Sequence, residues 1–114
     1  MKGQTFLKRL MFAINGLFLA YCRERSFRFH VLAGAAVLLV LFISRPAALW
    51  WALGAVAVGM VVMAELFNAT METLADHLHP KQHPEIGAAK DMAASAVLVA
   101  AITAIFVAAA FILS

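Results

Sequence analysis

Met63-Ala64-Glu65-Leu66-Phe67-Asn68-Ala69-Thr70-Met71-Glu72-Thr73-Leu74-Ala75-Asp76, a His-rich stretch, then Ala89-Lys90-Asp91-Met92, is the segment on which the fold turns. It begins at the end of an apolar run long enough to cross a bilayer. A carboxylate at that depth is expensive and marks a functional site by default. On a helix, Glu65, Asn68, Glu72 and Asp76 fall within roughly 80° of one another, on one face. Three acids and an amide in a row repel one another unless a cation or a partner lies beside them.

Composition agrees with a membrane setting. The chain has 114 residues, 65% hydrophobic and only 13% charged, with mean hydropathy +0.93. Soluble domains are about half apolar and one-quarter charged. The length allows one small membrane domain, residues 1–114, and no separate soluble one. The single Cys22 excludes an intrachain disulfide framework. Basic and aromatic residues do not interleave in a way that suggests nucleic acid.

Working outward, the stretch belongs to a helix over about 47–78 that starts as a span and extends into the cytoplasm. Gly54 and Gly59 lie in mid-span with no Gly-Lys-Ser/Thr after them, so these small residues serve helix packing rather than a phosphate loop. Trp50 and Trp51 read as an aromatic belt. Ser44-Arg45-Pro46 forms a tight turn, with Pro46 suited to opening the helix. Before it lies a span over about 27–43. Its apolar stretch from Val31 to Ile43 reaches only about 20 Å, short of the ~30 Å hydrocarbon core. Arg28 is therefore expected to snorkel and His30 to sit near the interface. After the stretch, His77 to Ala89 reads as a loop broken by Pro80 and Pro84. His79 and His83 are four apart, but the prolines argue against the helix a metal site there would need. A third span over about 89–113 is dense in alanine, which predicts close helix packing.

The N-terminal 4–25 segment could pass for a secretory signal, with Lys2, Lys8 and Arg9 before a short apolar run. A helical projection suits it better. Leu7, Leu10, Met11, Ile14, Leu17, Phe18 and Tyr21 share one face; Thr5, Lys8, Arg9, Asn15, Gly16 and Arg23 share the other. Phe12 and Leu19 intrude on the polar side. An amphipathic helix lying in the headgroup region is expected. Lysines and arginines put the N-terminus and the His-rich loop in the cytoplasm and the C-terminus outside, because only Arg45 lies on the far side.

One buried acid is ordinary if it is protonated or paired, for example with Lys90 or Arg28. The row, with Glu24 in the elbow and the Lys90-Asp91 pair opening the last span, asks for more. Oxygen ligands without a cysteine cluster favour Mg²⁺, which reaches proteins through one or two carboxylates plus substrate phosphates. Lys90 supplies a point charge for a phosphate. Phosphoryl transfer needs positioning, charge neutralisation and a base. Glu65 lies deepest, where a lipid hydroxyl reaches it, and is the candidate base. Glu72 is two turns nearer the nucleotide, and Glu24 could join it on one metal. A different class of reading is a small proton- or cation-conducting oligomer using Glu65 and Glu72 as relays. A conductor needs polar groups across the full depth; the first and third spans have almost none, and the outer half of the second has none.

Ala64-Glu65-Leu66-Phe67-Asn68-Ala69-Thr70-Met71-Glu72, followed by Ala89-Lys90-Asp91-Met92, closely resembles the small bacterial integral-membrane diacylglycerol kinase family, whose motif reads Glu-x-x-Asn-(Ser/Thr)-Ala-Ile-Glu, then Ala-Lys-Asp. The elbow Glu24-x-x-Phe27-Arg28 matches too. The resemblance implies an all-α membrane protein, a surface helix plus three transmembrane helices, assembled as a homotrimeric bundle in the bacterial cytoplasmic (inner) membrane with sites between subunits. It implies ATP as donor, Mg²⁺ as cofactor, and diacylglycerol as acceptor, giving phosphatidate. Glu65 falls on the family's catalytic base, and Glu24 and Glu72 on its metal-binding, nucleotide-facing carboxylates. Lys90 and Asp91 fall on its nucleotide-binding pair, with Lys81, Gln82 and His83 on neighbouring contacts. Asn68 and Asp76 fall on supporting positions. Ser26, Arg28 and His30 join Glu65 near the lipid headgroup. His30 stands where the best-known Gram-negative members carry glutamate, and Ala93-Ala94-Ser95 shifts a serine by one place. The elbow and Phe12-Ala13-x-Asn15-Gly16 look more like the Gram-positive branch, which includes undecaprenol kinases, so undecaprenol stands as the alternative acceptor.

Overall fold

The computed structural model describes residues 3–114, so Lys2 of the basic N-terminal arm lies outside the described residues. It contains four helices: α1 (Phe6–Arg23), α2 (Arg25–Ser44), α3 (Ala48–Leu78) and α4 (Pro84–Leu113). The last three are long and apolar enough to cross a membrane. Thr5 caps α1, its Oγ1 accepting from the Lys8 N–H at 3.3 Å. The elbow is a single residue. Glu24, extended at φ −109° and ψ 111°, ends α1 and begins α2.

The helix ends differ from expectation. Arg28 turns back on the elbow, its Nη1 donating to the carbonyls of Tyr21 at 2.8 Å and Cys22 at 3.1 Å. A cation there satisfies carbonyls that the last turn of α1 leaves open. Because helix continues back through the elbow to Arg25, α2 has 20 residues, about 30 Å, and is not a short span. The expected His77–Ala89 loop shrinks to residues 79–83. Pro84 opens α4 instead of breaking it, and His83 Nδ1 accepts from the Glu85 N–H at 3.1 Å as the cap. Pro46, by contrast, stops two residues short of α3, whose N-cap is Ala47.

Between α2 and α3 the chain reverses through Arg45, held in the left-handed region at φ 47° and ψ 56°. α3 is the central element. It packs along α4 on one side and against α2 on the other, while α2 and α4 do not meet. The principal extents are 48 × 38 × 22 Å. The thinnest is about two helix diameters.

Small residues set the spacing. A Cβ on Gly34 would lie 2.8 Å from Val58 Cγ1, and one on Gly54 would lie 3.1 Å from Leu41 Cδ1. Gly54 thus serves packing as expected, while Gly59 has nothing within 4 Å of its place for a Cβ. Along the membrane-spanning part of α4 the covered positions are Ala93, Val97, Ala100, Ala104, Val107 and Phe111, with Ala101 beside them. That alternating four-three spacing is the seam by which near-antiparallel helices interdigitate. At the far end Trp50 packs edge-on against Phe111 at 5.3 Å and Trp51 against Phe42 at 4.9 Å. The buried apolar core is small: Phe27, Leu41, Ala57, Val61 and Ala100 among the described residues. Large side chains such as Leu38, Phe42, Leu98 and Phe106 lie outside it, a surface suited to hydrocarbon rather than water.

Candidate active site

The packed face of α3 changes chemistry partway along. Its first part carries Gly54, Ala57 and Val61; the same face then carries Glu65, Asn68 and Glu72. Glu65 is 5% exposed and is the one buried charged or polar residue among those described. Its partner is His30 on α2, whose Nδ1 lies 3.0 Å from Glu65 Oε1. The same Nδ1 lies 3.0 Å from the Ser26 carbonyl oxygen, one turn back. The ring of Phe29 stands edge-on to His30 at 5.5 Å.

Neither Arg28 nor Lys90 pairs with Glu65. Arg28 is committed to the elbow. Lys90 Nζ donates to Asp76 Oδ1 at 2.5 Å, tying the end of α3 to the start of α4. This pair places Lys90 beside the last turns of α3, which carry Glu72 and Asp76. Asn68 Oδ1 is buried without a hydrogen-bond partner. A buried acceptor left open costs free energy, which points to a group that completes it. Asp91, Lys81, Gln82 and His83 are exposed. The loop is shaped by its own histidines: His79 Nδ1 lies 2.8 Å from the Lys81 carbonyl, and the His79 and His83 rings meet edge-on at 5.4 Å.

Glu24 stands apart from the acidic row within one chain. It lines a groove between α1 and α3, with Gly16, Leu17, Leu66, Thr70 and Thr73, on a neighbouring face of α3. Among the described residues no three His, Cys, Asp or Glu side chains come together as a metal site. The donors on offer, Glu72, Asn68 and Glu24, are all hard oxygens, which suits Mg²⁺ by type. Glu24 faces a different side of α3 from Asn68 and Glu72, so one chain does not bring the three together. A second groove, of about 470 Å³, runs between α2 and α4 over α3. It is apolar along its length, with His30 at one end and Trp50, Phe111 and Ile112 among its other lining residues.

The contacts of His30 with Glu65 and of Lys90 with Asp76 are the two that sequence reasoning missed. A signal for the first was present. His30 and Glu65 lie at similar distances from the Ser44–Ala47 turn, within about one helical turn, so an antiparallel pair brings them to one depth.

The chain matches the family described as prokaryotic diacylglycerol kinase over residues 11–112. It is 35% identical over 97 residues to an undecaprenol kinase of Bacillus subtilis, covering 85% of this chain and 79% of that one. It is 33% identical over 104 residues to a diacylglycerol kinase of Synechocystis, covering 90% of this chain and 59% of that one. It is 32% identical over 106 residues to a diacylglycerol kinase of Escherichia coli, covering 87% and 81%. A match over most of the chain, joined to three membrane-length helices and a carboxylate row at one end of the central helix, makes this protein a member of the prokaryotic diacylglycerol kinase family.

Proposed function

We propose that this protein is an ATP-dependent lipid kinase that transfers the γ-phosphate of MgATP to the hydroxyl of diacylglycerol, giving phosphatidate. The observation that carries the reading is Glu65, buried at 5% exposure on a face that continues through Asn68 and Glu72 toward Lys90. Glu65 takes the proton of the lipid hydroxyl as the γ-phosphate is attacked. Asn68 supports it from the next turn. Glu72, with Glu24, holds Mg²⁺, whose charge offsets that of the phosphates. Lys90, held by Asp76, and Asp91 address the nucleotide, with Lys81, Gln82 and His83 at its edge. The apolar groove ending at His30 suits a lipid chain whose alcohol lies near Glu65.

The remaining placements belong to the same reading. α1 lies in the headgroup layer, apolar face inward to lipid and basic face to anionic phosphates. The N-terminus and the site are cytoplasmic and the C-terminus is outside. Three copies assemble, and Glu24 of one subunit serves Glu72 of another, because one chain keeps them on different faces of α3.

Undecaprenol is the second reading for the acceptor. It is favoured by the elbow with His30 and by the similarity to the Bacillus subtilis undecaprenol kinase. Purified protein in vesicles, given Mg²⁺, radiolabelled ATP and either dioleoylglycerol or undecaprenol, tests both. Label in phosphatidate alone upholds diacylglycerol, and label in undecaprenyl phosphate alone replaces it. No labelled lipid from any alcohol offered overturns the kinase assignment. The conduction reading gains no support, since the polar row on α3 ends at Glu65 and Gly54, Ala57 and Val61 continue the same face.

A further inference from the structure

We propose that His30 is a positioning residue for the base: the Ser26 carbonyl fixes the imidazole through Nδ1–H, and the ring so fixed holds Glu65 by the close contact at Oε1, leaving Oε2 to take the acceptor's proton. The inference rests on the assignment of Glu65 as base and adds to it the group that aims it.

The geometry specifies the proton. His30 Nδ1 lies 3.0 Å from the Ser26 carbonyl oxygen and 3.0 Å from Glu65 Oε1. A carbonyl oxygen only accepts, so a hydrogen on Nδ1 is what makes the first contact favourable. With that hydrogen present, Nδ1 has no lone pair to offer a protonated carboxyl, and Glu65 Oε1 is an acceptor too. The backbone hydrogen bond thus selects the tautomer, and Glu65 Oε1 lies beside the same nitrogen at ion-pair distance. The ring cannot swing freely, because Phe29 stands against it at 5.5 Å and its side chain is only 21% exposed. Among the described residues no other ion pair reaches Glu65. His30 is the polar contact that gives this carboxylate a defined direction. A base that is free to rotate loses rate, since misplacement by about 1 Å costs on the order of 100-fold. Expected in the sequence only as a residue near the lipid headgroup, His30 thus acts through Glu65, at the end of the groove where the acceptor's alcohol would arrive.

The test is steady-state kinetics in vesicles with ATP and whichever of dioleoylglycerol and undecaprenol the wild-type protein phosphorylates. His30→Ala is expected to lower kcat by about 10- to 100-fold while leaving KM for lipid and for ATP near wild type. His30→Asn, whose amide N–H stands close to where Nδ1–H stood, is expected to recover most of the lost kcat. A rise in KM for lipid with kcat retained makes His30 a lipid contact and overturns the proposal. So does a His30→Ala variant with unchanged kinetics. In parallel, ¹⁵N spectra of the wild-type imidazoles, with His30 assigned through His30→Asn, are expected to show the Nδ1–H form. A neutral ring protonated at Nε2 alone refutes the contact even if His30→Ala does not fold. Glu65→Gln is measured alongside. If it turns over normally, the base assignment falls and this inference with it; if it is inactive while His30→Ala is not, only the inference falls.

Discussion

Glu65 is the residue whose environment distinguishes a site from a packing contact. A buried carboxylate with one histidine at ion-pair distance has given up water for a single polar contact, and that loss is tolerated where the oxygen is needed. Glu65→Gln is expected to lower kcat by at least about 100-fold, with ATP KM little changed, because a base acts in the transition state. Lipid-kinase kinetics at varied ATP check this. Asp76 makes a different kind of contact. Its side chain is 63% exposed where it meets Lys90, so the pair contributes little to stability. It does hold the Lys90 ammonium in place. Asp76→Asn is expected to raise ATP KM severalfold while leaving thermal unfolding nearly unchanged, which nucleotide titration and a melting curve separate. Much of this site was legible from residue type and spacing. Glu65, Asn68 and Glu72 share a face because three and four residues make a turn. The partner of Glu65 was not legible, because it lies on another helix.

At the scale of elements, the structure rewrites ends more than middles. Long apolar runs are helical wherever backbone groups must be satisfied without water, so the spans follow from composition. Their ends depend on single side chains. His83 and Pro84 start α4 five residues before the expected boundary, and Arg28 closes α1 on an elbow one residue long. The α2–α3 turn carries a non-glycine residue in the left-handed region, Arg45. Arg45→Gly is expected to stabilise the protein by up to about 1 kcal/mol, the left-handed penalty slightly exceeding glycine's entropic cost. Thermal unfolding in detergent measures it. Gly34→Ala is expected to do the reverse, by about 1–3 kcal/mol, since its Cβ would meet Val58 Cγ1 at 2.8 Å. Adding Val58→Ala should recover part of that loss.

For the whole molecule, the arrangement is open. α3 lies between α2 and α4, which leave a groove over it, and Glu24 faces a second groove away from Glu72. Glu65 is enclosed within one chain, but Glu24 and Glu72 are not brought together, so the proposed metal site is one that other copies would complete. Cross-linking in mild detergent is expected to trap a trimer. Glu24→Gln and Glu72→Gln proteins, each inactive alone, are expected to regain partial activity when their subunits are mixed, because some sites then receive both native carboxylates. A fully active monomer, or mixtures no more active than their parts, would remove the shared-site picture.

Sequence by itself determined the class of the molecule: three membrane-length helices, a fourth before them, and carboxylates along one face where the central helix leaves its apolar stretch. These are local properties, set by hydropathy and by the helical repeat. Tertiary structure decided the partners. His30 meets Glu65, Lys90 meets Asp76 and Arg28 turns back on α1 because helix register and close approach at Gly34 and Gly54 bring distant residues to one depth, and no local pattern encodes which side chain will be waiting there.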